Sequence, residues 1–199
     1  MTRSVPDTIL TMSFAGKERT VIRKTIFVSA VILLAVSAFA QMAPPKPGPE
    51  VKKLDLFVGN WTTEGTVSPG PWGQGGKFTG TDTMEWMNGE FFIVGHSSFS
   101  MPAELGGDGK ETSVMGYDTD QSVYTFDAFN SQGRHEVSKG TVNGDTWNWT
   151  SEATYGGQVI KQRMTIKVVS PTSHTMKFEV STDGTNWMTF MDAKSTKTK

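Results

Sequence analysis

The 199-residue sequence contains no cysteine. That excludes disulfides, thiol catalysis and a lipid-bearing N-terminal cysteine, so stability has to come from a packed core. Histidine is scarce too. His96, His135 and His174 lie far apart and form no metal-spaced pair. No Gly-x-Ser-x-Gly elbow occurs, and Glu85, Glu90, Glu104 and Glu152 form no recognisable acid pair. The run Gly106-Gly107-Asp108-Gly109 is rich in glycine, but no helix follows it to complete a phosphate loop. Asp118-Thr119-Asp120 lacks the remaining ligands of a calcium loop and reads as a turn bonding its own backbone. With no catalytic motif, the sequence assigns no catalytic residue. Past residue 60 no stretch has helical periodicity.

Long apolar runs are limited to one, at 26–39. Arg23 and Lys24 precede it, and Ala38-Phe39-Ala40 closes it with the small-x-small pattern of an export cleavage site. The run is shorter than the roughly 20 residues of a spanning helix. Residues 1–40 are therefore expected to be a signal peptide with an extended leader, and Met12 or Val21 are alternative starts to Met1. The product is expected to be periplasmic or extracellular, with no membrane anchor after cleavage. Cleavage removes five of 19 basic and two of 20 acidic residues, leaving 14 against 18 and a net charge of −4. So mild a balance argues against a nucleic-acid partner. The proline-rich segment 41–49 reads as an extended tether.

Residues 50–199 form the folded domain. Leu54, Phe57 and Val58 stand at helical spacing in a segment too short to be stable alone. Beyond it, turn signals recur about every ten residues. They delimit strands at 61–67, 77–87, 90–99, 112–118, 123–130, 134–142, 146–155, 158–169, 174–181 and 186–195. An open meander of this length would expose two aggregation-prone edges. Closure removes both. The expected fold is all-β, a ten-stranded antiparallel up-and-down barrel with the short N-terminal helix closing one end.

Several motifs carry a resemblance. Gly59-x-Trp61 after a short helix is similar to the opening of lipocalins and their calycin relatives. The ordered series Trp86-Met87-Asn88-Gly89-Glu90-Phe91, Gly116-Tyr117-Asp118 with Tyr124, Asn130-x-x-Gly133 and Asp183-Gly184-x-x-Trp187 is more specific. Over roughly residues 50–196 it resembles a bacterial family of calycin-like barrels known only as a domain of unknown function. The resemblance implies the barrel and brings no catalytic residues with it. The lipocalin arginine that stacks on the first-strand tryptophan is missing, and Lys194 is expected to take its place over Trp61.

Alternation predicts an interior rich in methionine and aromatics. The lumen candidates are Trp86, Phe92, His96, Phe126, Trp147, Trp149, Met164 and Phe178. Such walls suit a small, partly apolar ligand. They equally suit a barrel filled by its own side chains, which would make the protein an interaction module of the cell envelope. A third reading gives His96 or another histidine to haem or a metal. It is the weakest, because no second ligand accompanies it.

Overall fold

Strand alternation, and not helix propensity, organises this chain. The computed structural model describes residues 45–198. The expected export segment and residues 41–44 of the tether lie outside them. Among the described residues no helix is long and apolar enough to cross a membrane.

A single helical turn, α1 (Pro49–Lys52), runs into a 3-10 turn at Lys53–Leu56. Ten strands follow: β1 (Gly59–Val67), β2 (Gly76–Trp86), β3 (Ile93–Ser100), β4 (Gly109–Asp118), β5 (Val123–Asn130), β6 (His135–Asn143), β7 (Thr146–Tyr155), β8 (Gln158–Ser170), β9 (Ser173–Ser181) and β10 (Met188–Thr198). Each pairs antiparallel with the next, and β10 pairs with β1, so the sheet is a closed barrel. The eight-residue seam runs from Asn60↔Thr198 to Val67↔Met191. Gly65 lies within it, and a Cβ there would collide with the Asp192 carbonyl and with Ala193. Glycine lets the last strand approach the first.

The helical segment closes one end. At four residues α1 cannot persist alone, and side chains from four strands hold the segment. The Trp61 indole donates to the Phe57 carbonyl (2.8 Å), and that of Trp86 donates to the Asp55 carboxylate (2.8 Å). The Tyr124 hydroxyl sits between the carbonyl (3.1 Å) and carboxylate (2.8 Å) of Glu50. Lys197 donates to the Leu56 carbonyl (3.4 Å). Leu54 and Phe57 insert below these contacts into a core with Trp61, Ile93, Trp147 and Ile166.

The structure corrects two expectations about strands. Asn88-Gly89 does not make a two-residue turn. Gly89 and Glu90 both take positive φ (92° and 56°), and the Met87 amide bonds the Phe92 carbonyl. The strand therefore restarts at Ile93, not at residue 90. The tenth strand continues past 195 to Thr198. That extension places Lys197 opposite Trp61, with its ammonium 4.9 Å from the ring centre. Lys194, expected in that role, pairs with Glu64 and is exposed.

Candidate functional site

Above the floor the barrel is not full. A cavity of about 380 Å³ runs up its interior, within the range of small-molecule sites. Phe126, Trp149, Met164, Ile166 and Met176 wall it near the floor, while Phe78, Phe99, Phe178 and Phe190 wall it nearer the loops.

A belt of polar side chains interrupts these walls. Thr63 and Ser195 share a hydrogen bond of 2.8 Å across the seam. Ser97 donates to Asp82 (2.6 Å). Ser138 and Ser151 lie 3.2 and 3.1 Å from a single oxygen of Glu136. Ser151 is also 2.9 Å from Gln162 Oε1. Its one proton serves one of these acceptors, and a turned Gln162 amide donates to it in the other case. Glu111 completes the belt from β4.

Electrostatics sets these acids apart from those at the surface. Burial raises the Asp82 carboxyl above its ordinary range, against the lowering effect of Ser97. Burial pushes Glu111 up to about 7, and the charges of Glu136 and Asp82 push it in the same direction. His174 sits lower in the same cavity, with its ring 4.7 Å from Trp61. Burial, then the nearby Lys197 ammonium, pushes it down to about 4, so it is neutral at pH 7. Perturbed groups gathered in one concavity are what binding sites characteristically show. Two buried nitrogens on the cavity wall have no hydrogen-bond partner, Trp149 Nε1 and His174 Nδ1. Among the described residues no three His, Asp or Glu side chains converge closely enough for a metal ion.

Of the eight lumen candidates, Phe126, Trp149, Met164 and Phe178 line the cavity. Trp147 lies beneath it, 5.0 Å from Phe57 and 4.7 Å from Tyr124 by ring centres. Trp86 is at the plug, bonded to Asp55. Phe92 is 45% exposed and sits in the 87–92 loop. His96 faces outward, with Nδ1 3.3 Å from Thr112 Oγ1. Sequence alternation puts both on the inner face, but the longer loop shifts the strand's parity. Ile93, Gly95, Ser97 and Phe99 point inward instead. Gly95 hides the pattern: a Cβ there would strike Met84 Sδ and Ser113 Oγ, so only glycine fits.

The residues that sequence reasoning misses are Asp82, Glu111, Glu136 and His174. Parity carries the missing signal, since Glu111 shares a face with Ser113 and Met115, and Glu136 shares one with Ser138 and Gly140. His174, near the start of β9, is a buried wall residue. The acids weighed from sequence, Glu85, Glu90, Glu104 and Glu152, are all exposed.

The motif residues mostly build turns. Asp118 accepts from the backbone N–H groups of Asp120 and Gln121. Asn130 accepts from those of Gln132 and Arg134. Asp183 accepts from those of Thr185 and Asn186, which hold its carboxyl well below the usual range. Trp187 is covered by Arg163, whose guanidinium lies 4.2 Å from the ring centre and pairs with Glu179.

A closed meander with a helical plug and an internal cavity defines a calycin-like barrel. Within that class the chain belongs to the family described as protein of unknown function (DUF1579), which matches residues 46–197. No curated protein matches it. Among solved structures it is similar to Rv2717c from M. tuberculosis, at 12% identity and a TM-score of 0.53, covering 77% of this chain and all of that one. It is also similar to the S-type phycobiliprotein lyase CPES from Guillardia theta, at 13% identity and a TM-score of 0.52, covering 74% of this chain and 92% of that one. At these identities the likeness is one of fold.

Proposed function

We propose that this is a non-enzymatic, exported barrel that binds a small, partly apolar molecule in its lumen. The observation that carries the reading is the cavity itself, about 380 Å³ with mostly apolar walls and a few placed polar groups. It favours a ligand over the filled core of an interaction module. Haem through His96 finds no support, because that ring faces away from the lumen. The apolar run 26–39 and the Ala38-Phe39-Ala40 pattern support export to the periplasm or beyond.

Native mass spectrometry of protein isolated from its source, without detergent or organic solvent, tests the reading. The expected result is a mass excess over the denatured chain that disappears on organic extraction and is recovered as one small organic species. A native mass equal to that of the bare polypeptide contradicts it.

A further inference from the structure

The lumen is one-sided in charge. Among the described residues, the ionisable side chains on its wall are three carboxyls, Asp82, Glu111 and Glu136, and the neutral His174, with no Lys or Arg. The carboxyls come from alternate strands along one side. Asp82 of β2 registers with Ser97 of β3, which registers with Glu111 of β4. Glu136 follows from β6, beside Ala128 of β5.

Asp82 and Glu136 receive serine hydroxyls. Among the described residues no side chain donates to the Glu111 carboxyl, and its register partners Ser97 and Asn130 are uncharged. Grouping like charges in a half-buried space is unfavourable unless a counter-charge enters.

A second observation points to an occupant. Trp149 and His174 project inward from β7 and β9 and are 2% and 8% exposed, yet Trp149 Nε1 and His174 Nδ1 are unpartnered. Buried polar groups are rarely left so without a ligand or ordered water. A pure hydrocarbon would leave both unsatisfied; the indole N–H only donates, so the occupant carries an acceptor along its body, separate from any ammonium head, which has none.

We propose that the lumen recognises an amphiphilic amine, its ammonium received by Asp82, Glu111 and Glu136 and its apolar body by the methionine and aromatic walls. This rests on the lumen-binding reading and adds the charge of the ligand to it. An ammonium has three donors and no acceptor. It suits carboxylates spread around a cavity, whereas a metal ion needs ligands drawn together.

The test uses three probes with the same eight-carbon tail, octylamine, octan-1-ol and octanoate, titrated calorimetrically at pH 8. Octylamine is protonated there, as lysine is. The expected order has octylammonium binding at least tenfold more tightly than octan-1-ol, with octanoate the weakest. Glu111→Gln brings the octylammonium-to-octanol ratio close to one, and Glu136→Gln moves it the same way should the first variant fail to fold. Lowering the pH from 8 to 6 protonates Glu111 and weakens octylammonium about tenfold, an effect that Glu111→Gln removes. Asp82 and Glu136 face Glu111 from neighbouring strands, and His174, pushed down to about 4, titrates below this window. Octan-1-ol or octanoate binding as tightly as octylammonium overturns the proposal but leaves the lumen reading standing. Failure of all three to bind removes both.

Discussion

Trp61→Ala lowers the stability of the domain by about 3–5 kcal/mol, the usual cost of emptying a large buried aromatic site. The side chain is 3% exposed and sits where three constructions meet. Its indole N–H holds the Phe57 carbonyl and so fixes the plug. One side of the ring packs on His174, and the Lys197 ammonium approaches it from the last strand. Trp61 also stands at the seam, opposite Lys197 of β10. Truncation opens a cavity, orphans a carbonyl and frees the cation in one step. Small domains have only about 5–15 kcal/mol to lose. Urea unfolding followed by circular dichroism measures the loss, and amide exchange at residues 49–57 should accelerate with it. Trp72→Ala, in the 68–75 loop against Phe190, serves as the comparison and costs much less.

Glu111→Gln acts in the opposite direction and depends on pH. The folded carboxyl titrates at about 7 and the ordinary value is 4.5, so the native state holds its proton more tightly than the unfolded chain. Wild-type stability from this group therefore falls as pH rises from 4.5 to 7, and stays low above that. Glutamine has no charge to bury. The variant is expected to gain about 2–3 kcal/mol at pH 8: each tenfold difference in proton affinity between the two states is worth roughly 1.4 kcal/mol, and solvent reaching the half-buried carboxyl screens part of the total. At pH 4 both side chains are neutral, and the difference should vanish. Denaturant titrations across this range measure it. A gain independent of pH would show that the carboxylate's charge is not its source. A site that destabilises the empty protein is the usual signature of a group kept for binding.

The fold was largely legible because closure leaves a strong trace. Turn dipeptides at regular spacing marked nearly every connection, and the inward face of β8 and β9 could be read from Met164, Ile166, Met176 and Phe178. The site was less legible for a physical reason. In a ligand cavity the inward face is not uniformly apolar, so Ser97, Ser113, Ser138 and Ser151 blur the alternation where it matters most. Gly95 and Gly140 remove it altogether, and the positive φ of Glu90 shifts the third strand's parity with no sign in the sequence. Aromatic residues are therefore legible where strands are regular, as at Phe126 and Trp149. They are misplaced beside the irregular turn, as at Phe92, and His96 goes with them. The acids escape notice because they converge only across strands.

Methionine provides the most direct test of a lumen that takes ligands. Met84, Met115, Met164 and Met176 lie on the cavity wall, whereas Met87 and Met188 are 45% and 43% exposed. With the methyl groups labelled by ¹³C, each reports separately in a titration with octan-1-ol. The account predicts saturable shifts at these four of the six wall methionines, Met101 and Met191 being the others, and none at Met87 or Met188. Unmoved wall methyls, or shifts confined to the two exposed ones, would contradict it.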